Sequence, residues 1–419
     1  MSTTELVEDT TDRLAGVVRR RSTTFPLAVF LISRGVIWIV ALVALALAEP
    51  LRIPSISGLG RGSGWNPPWL SDLGPLVEVW GRWDAAWFVR IGEHGYASAG
   101  AAPAFYPLFP TGIAVLGRLS GGHFLAAGLA ISLAAGTAAF VLLYRVVAQQ
   151  LGDAVASRTV VLLAVFPTSL FLGAPYSESL FLALAVATFL AAEAGRLLSA
   201  AALAGFALLA RPTGVALLAA LAVFAWHSRD RLRAFASLLL APLVFMAYPL
   251  LLWIQVGDPL AFRSAESDPI WERSLSLLGP LGGVIDGVRA GVAGAMWTLG
   301  IGAAGAVWPL GSDASFSSWV NITNLIVLAL FLPLVVVAWR RLGSAYGVYA
   351  ACALLLPLTA PSARWPLLSI SRFVLIDFPC FVALALILDR PRRLVPWAAC
   401  STALLAYLTI RWATWEWVA

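Results

Sequence analysis

The sequence predicts an all-α polytopic membrane protein, and three observations carry that prediction. Of 419 residues, 60% are hydrophobic and 12% charged, where soluble domains run at about 25% charged. The mean hydropathy is +0.86. Apolar runs that can cross a hydrocarbon core of roughly 30 Å recur along the chain and are separated by short basic turns. The 18 Trp and 21 Phe suit interfacial belts and an apolar cavity. The net charge of +6 does not point to nucleic acid, because the basic residues cluster beside apolar runs, where they set topology. Cys352, Cys380 and Cys400 all lie in or beside apolar segments, so neither a disulfide framework nor a thiolate metal site is expected. With only His94, His123 and His227 present, a histidine-rich metal centre is excluded.

Residues 1–24 are polar, carry Arg19, Arg20 and Arg21, and read as a cytosolic tail. The charged region is long and no small-residue cleavage site follows, so no cleaved signal peptide is expected. Residues 25–48 form the first span, and the arginines put its start in the cytosol. Arg34 lies within it, and the sequence leaves open whether it snorkels or faces the bundle interior. Residues 25–419 read as one integral membrane domain with two external loops, about 49–121 and 256–319.

The first loop opens with irregular Pro, Gly and Ser, then becomes helix-like over 76–93. The dozen apolar residues after Pro107 and Pro110 are short for a span and suit a re-entrant or interfacial helix. Spans are then expected at 122–146, 157–173 and 177–195, with Arg145 and Arg196 cytosolic and Ala174–Ser179 external. Residues 198–226 are interrupted at Ala210-Arg211-Pro212-Thr213-Gly214. Either two half-depth helices or one proline-kinked helix would explain this. After the cytosolic turn 227–233, a span at 234–255 leads to the second loop, whose Gly/Ala-rich 284–306 reads as a surface or partly buried helix. Spans at 320–338, 344–360, 373–388 and 395–411 bring the total to roughly eleven, and a Trp-rich external tail follows.

The stretch Trp80–Tyr96 stands out because it concentrates Arg82, Asp84, Arg90, Glu93 and His94 among large aromatics. On a helix at about 100° per residue, Asp84, Trp87, Ile91 and His94 share one side with Phe88 at its edge, while Glu93 points away. An ionisable group tied to a membrane domain is a functional candidate. The competing reading is an interfacial helix anchored by Trp and Arg at the headgroups. Asp84 is the candidate general base, since a carboxylate in a partly dry cleft can take the proton of an attacking hydroxyl. Glu93 and His94 are candidates for positioning substrate. One histidine with one or two acids is a weak metal signal, so a divalent ion is possible chemistry but not required. Arg82 and Arg90 suit phosphate or surface pairing equally. Glu178, in Ala-Pro-Tyr-Ser-Glu-Ser, either lines the same cleft or caps its helix. Arg211 and Arg372 are the phosphate candidates, because a guanidinium fork beside an apolar span needs an anionic reason. Asp258 reads as an ordinary turn residue.

There is no GxxxxGK[ST] loop and no GxGxxG fingerprint, so ATP and soluble nucleotide sugars are not the expected donors. A donor carried in the membrane fits better. The long external loops hold most of the acids, as expected if the chemistry faces the extracytoplasmic side.

RWDAAWFVRIGEHGY (82–96), FYPLFP (105–110), FPTSLFLGAPYSESLFLAL (166–184), ARPTG (210–214), GDPLAF (257–262) and SISRFVLIDFP (369–379) resemble, in order and spacing, the GPI mannosyltransferase II (PIG-V) family and its bacterial relatives. The first and third stretches are the specific ones. The resemblance implies a C-type (GT-C) glycosyltransferase fold with an external active site in the plasma membrane. It also implies a dolichyl- or polyprenyl-phosphate-mannose donor and inversion at the sugar carbon. Asp84 matches the family's acidic residue of the first external loop, proposed as base. The stretches around Trp87, His94, Tyr176, Glu178, Arg211 and Arg372 match without individual roles. High Ala, Gly and Arg fit a bacterium without GPI anchors, so a lipid-linked glycan, a lipoglycan or a protein hydroxyl is the expected acceptor. The rival class is a transporter or flippase of lipid-linked sugars, which would predict internal repeats and midplane charges, and the sequence shows no repeat.

Overall fold

The computed structural model describes residues 3–47, 73–98, 100–268, 271–301, 304–311 and 313–418. The irregular start of the first loop, 49–72, lies outside them. Among the described residues the chain is all-helical, with one isolated antiparallel bridge between Arg273 and Ser362.

The first helix, α1 (Thr3–Leu47), runs without a break from the polar N-terminal residues into the first span. Two short helices, α2 (Pro75–Glu78) and α3 (Asp84–His94), then lead to α4 (Leu108–Leu119) and the long α5 (Phe124–Leu151). Next come α6 (Asp153–Ala164), α7 (Glu178–Glu193), α8 (Leu197–Ala210) and α9 (Val215–Trp226). A segmented helix follows as α10 (Arg231–Leu238), α11 (Leu240–Phe245) and α12 (Ala247–Val256). The second loop carries α13 (Ala261–Ala265), α14 (Pro280–Thr298) and α15 (Ala304–Val307). The C-terminal part holds α16 (Ala314–Leu342), α17 (Ser344–Leu355), α18 (Ile370–Phe373), α19 (Phe378–Ile387) and α20 (Pro391–Ala413).

Among the described residues, five stretches are long and apolar enough to cross a membrane: 23–47, 124–151, 231–256, 314–342 and 391–413. A sixth would be 370–387, which bends by 87°. This makes the chain an integral membrane protein, but it does not bear out a count of eleven full spans. The other apolar helices are short. At 1.5 Å per residue, the 12 residues of α4 reach only ~18 Å. The 12 residues of α9 reach no further.

The interruption at 210–214 is two helices. Arg211 adopts an extended backbone (φ −158°, ψ 148°), which ends α8. The 3₁₀ turn Pro212–Gly214 then folds back, so that a Cβ on Gly214 would lie 2.7 Å from the Leu208 nitrogen. The Gly/Ala-rich helix α14 packs on α16 through small residues. A Cβ on Gly291 would meet Leu325, and one on Gly294 would meet Ser318.

Arg34 faces the interior. It is buried and donates to the Ser169 carbonyl and, at 3.0 Å, to the Ala164 carbonyl. Its charge therefore pins α1 to the broken end of α6 instead of reaching for a headgroup.

Two ends of the bundle are defined by these packings. At one end, Trp38 of α1, α3, the first turn of α7 and the last turn of α8 converge. At the other, Tyr346 of α17 donates to Glu193 of α7 at 2.5 Å, Gln150 of α5 donates to Tyr346 at 2.6 Å, and Arg145 reaches Thr23.

Candidate active site

The site is built on the N-terminus of α3. Trp83 precedes it with φ +54°, a left-handed value that costs a non-glycine residue about 1–3 kcal/mol and persists only when neighbours impose it. The neighbours are visible. Trp83 lies 6.1 Å from the Trp415 ring and 5.0 Å from the Trp417 ring, both in the C-terminal tail. The Arg82 guanidinium stacks 4.1 Å from the Trp415 centroid, and Trp412 donates to the Val79 carbonyl at 2.8 Å. From the other side, the Tyr176 hydroxyl accepts from the Asp84 N–H at 3.0 Å and donates to the Arg82 carbonyl at 3.1 Å. Burial, then the nearby Asp84 charge, raise the Tyr176 pKa well above its usual value, so the hydroxyl keeps the proton it donates. Asp84 is thus fixed in the first helical turn with its side chain 20% exposed.

Arg372 reaches that carboxylate from α18. Ser369, which starts this helix, also has a positive φ, +67°. The helix is tied to its surroundings through Ser371, whose N–H donates to Asn324 at 2.9 Å and whose carbonyl accepts from Thr168 at 2.5 Å. Arg372 donates from Nη1 to Asp84 Oδ2 at 2.5 Å, and its Nε lies 3.1 Å from Glu178 Oε1. Arg211 reaches the same Glu178 oxygen at 2.6 Å. Glu178 is fully buried in the first turn of α7 and lines the cavity; its carboxylate makes no capping hydrogen bond and is taken up by the two guanidiniums. Two guanidiniums and two carboxylates alternate as Asp84, Arg372, Glu178, Arg211. Ion pairing of this kind lets four charges share a poorly solvated place.

The network lines one part of a cavity of about 650 Å³. Phe88, Phe105, Tyr106, Phe262, Trp271 and Trp417 supply aromatic wall, and Arg263, Glu266 and Arg273 come from the second loop.

The ten residues singled out from sequence divide evenly. Asp84, Tyr176, Glu178, Arg211 and Arg372 line this cavity. The other five lie off it. Arg82 turns back to donate to the Glu78 carbonyl at 3.1 Å, and burial lowers its pKa to about 10 while Glu78 acts the other way. Trp87 is buried and stacks on Phe105 at 5.5 Å, behind the wall. Arg90 is buried and donates to the Ser98 carbonyl at 2.5 Å. Glu93 and His94 sit 3.6 Å apart at the C-terminal end of α3, with the His94 side chain 58% exposed. The helical side expected to join Asp84 with His94 spans the whole length of α3, and only its Asp84 end meets the cavity.

Arg263, Glu266, Trp271, Arg273 and Trp417 line the cavity but were not singled out. The cluster Trp271-Glu272-Arg273 was visible as charge in an external loop. Nothing local marked Arg273 as turning inward, since the bridge to Ser362 that turns it spans 89 positions in sequence. Asp258 makes the expected turn, accepting from the Leu260 N–H at 2.8 Å. Among the described residues no three His, Cys, Asp or Glu side chains gather as a metal site.

A family model described as Mannosyltransferase (PIG-V) matches residues 73–260. That segment holds Asp84, Tyr176, Glu178 and Arg211, and the match bears out the resemblance seen in the sequence and supports a glycosyltransferase. No curated protein matches the chain. Among solved structures, an Archaeoglobus fulgidus oligosaccharyltransferase complex with Zn and sulfate is similar at 13% identity and a TM-score of 0.43, over 91% of this chain and 53% of that one. The same enzyme tethered by a disulfide to an acceptor peptide containing the NVT sequon is similar at 12% identity and a TM-score of 0.43, over 95% and 56%. The chain spans about half the length of these structures.

Proposed function

We propose that this chain, as a membrane glycosyltransferase of the mannosyltransferase (PIG-V) kind, moves mannose from polyprenyl-phosphate-mannose to an acceptor hydroxyl on the extracytoplasmic side, with inversion, in a GT-C-like bundle. The observation that carries this reading is the Asp84 carboxylate on the wall of the aromatic cavity, held through one oxygen by Arg372.

Oδ2 takes Arg372, and Oδ1 is left to accept the proton of an acceptor hydroxyl. As that proton moves to Asp84, the hydroxyl oxygen forms a bond to the anomeric carbon. The bond from that carbon to the phosphate oxygen breaks on the opposite face, and its electron pair leaves with polyprenyl phosphate. The anomeric centre inverts because entry and departure are on opposite sides. A general base of this kind contributes about 10²–10⁴-fold. The aromatic wall suits the C–H faces of a pyranose and the first isoprene units. No soluble cofactor is needed for this step, and its bond changes do not require a divalent metal. The acceptor is a hydroxyl of a lipid-linked glycan, a lipoglycan or a protein.

Sidedness follows from charge. Arg145 lies at the end of the bundle opposite Asp84. The turns at 227–233 and 389–393 are arginine-rich, as cytosolic turns are. The plasma membrane of a bacterium is the corresponding location.

The test is transfer of radiolabelled mannose from polyprenyl-phosphate-mannose by the purified chain into acceptors extracted from bacterial membranes, with the product's anomeric configuration read by NMR. A glycosidic product of inverted configuration supports the reading. Movement of lipid-linked sugar across vesicles without a new glycosidic bond overturns it in favour of a flippase.

A further inference from the structure

Three guanidiniums gather round one ring. The Arg211, Arg372 and Arg273 carbons lie 5.1, 5.1 and 6.0 Å from the Phe373 centroid. Two of the three are already committed. Arg211 and Arg372 share Glu178, and Arg372 also holds Asp84. Drawing either onto a ligand would take from the fully buried Glu178 one of its two guanidinium partners, and drawing Arg372 would also take the partner of Asp84. Arg273 differs. Among the described residues it has no acid within 4 Å, and its guanidinium donates to the Leu368 carbonyl at 3.4 Å.

The charge count points the same way. Three guanidiniums against Asp84 and Glu178 leave one positive charge beside the cavity. Further along the lining, Arg263 and Glu266 add one charge of each sign and leave the surplus at one. A single surplus positive charge in a partly dry cavity matches a phosphodiester monoanion. It also strengthens its hold as the leaving phosphate gains charge. Burial lowers the Arg273 pKa, Glu266 and Asp84 act the other way and the Arg372 charge lowers it further, so an incoming anion favours its charged form.

Arg273 is also held for the task. The Glu272 carbonyl accepts from the Ala363 N–H at 3.0 Å, the Ser274 N–H donates to the Pro361 carbonyl at 3.3 Å, and the Ser276 N–H donates to the Thr359 carbonyl at 2.9 Å. These contacts pin the backbone on both sides of the arginine, so little order is lost when it binds.

We propose that Arg273, on the Phe373 ring, is the residue that binds the lipid-borne phosphate of the sugar donor, while Arg211 and Arg372 position the carboxylates Glu178 and Asp84. This rests on the transferase reading and names the place of its donor.

The experiment measures binding by the full chain in detergent, with polyprenyl monophosphate, uncharged polyprenol and phosphatidylglycerol as probes. Wild type is expected to bind polyprenyl phosphate well above polyprenol. Arg273→Gln is expected to weaken that binding about 10–100-fold, the range for a lost charge-assisted contact. Glu266→Gln is expected to tighten it several-fold by removing the acid nearest in effect to Arg273, a gain that a misfolded variant cannot mimic. Arg273→Gln binding as wild type does, or Glu266→Gln binding no better, overturns the proposal. Equal binding of phosphatidylglycerol, lost in Arg273→Gln, overturns the assignment to the donor and gives the site to a headgroup. Mannosyl transfer is assayed separately. Phosphate binding through Arg273 without any transfer by wild type sinks the transferase reading and leaves the anion site standing.

Discussion

Arg372 Nη1 lies 2.5 Å from Asp84 Oδ2, joining residues 288 positions apart. The pair is the junction between the exposed and the buried part of the charge network, because the same guanidinium also contacts the fully buried Glu178 at 3.1 Å.

Asp84→Asn keeps the shape of the side chain and leaves Arg372 its second partner. Mannose transfer is therefore expected to fall by about 10²–10⁴-fold while polyprenyl phosphate still binds. Initial rates beside binding isotherms check this, and an Asp84→Asn enzyme with full turnover would remove Asp84 from the mechanism.

Glu178→Gln should act on stability first. Arg211 and Arg372 both lose the carboxylate they share, in a place where it has no solvent exposure. Breaking a buried pair from one side costs about 3–5 kcal/mol, so the unfolding temperature in detergent should drop more than for the partly exposed Asp84.

Tyr176→Phe removes a hydroxyl that accepts from the Asp84 N–H and donates to the Arg82 carbonyl. A loss of about 1–3 kcal/mol is expected from the groups left unpaired. Because the strained Trp83 junction loosens, kcat should fall with little change in donor KM. Equal kcat in the two enzymes would mean that the tail tryptophans alone position Asp84.

Gly214→Ala tests the fold-back before α9. The added methyl would lie 2.7 Å from backbone at Leu208, which cannot swing aside. Overpacking of this kind costs about 1–3 kcal/mol, readable as a lower unfolding temperature.

Glu266 gives a pH signature. Burial raises its pKa above the usual carboxylate range, and Arg273 opposes this. The folded chain thus holds the Glu266 proton more firmly than the unfolded chain. Its contribution to stability is full below the unfolded pKa and is lost as pH rises through the raised folded value. Glu266→Gln should match wild type in acid and become relatively more stable toward neutral pH, as followed by thermal unfolding across pH.

Much of the site was legible. Asp84 could be found because an acid among aromatics beside an apolar chain is rare, and Glu178, Arg211 and Arg372 because each is a lone charge beside an apolar run. Arg82, Arg90, Glu93 and His94 carry the same local signal and lie off the cavity, two of them turned to nearby carbonyls. Arg273 and Trp417 sat in segments that look like solvent-facing loop and tail.

Composition by itself determined that the chain is helical and lives in a membrane, because lipid demands internally satisfied helices. The pattern of residues also put Asp84 inside a helix-like stretch, 76–93, which the structure breaks so that a helix starts at Asp84. Only the tertiary structure decided which helices are too short to span and which charges meet. That information lies in backbone breaks at Trp83, Arg211 and Ser369 and in packing between segments far apart in the chain. An ion pair depends on where two such breaks come to rest in space, and no local pattern of residues records that.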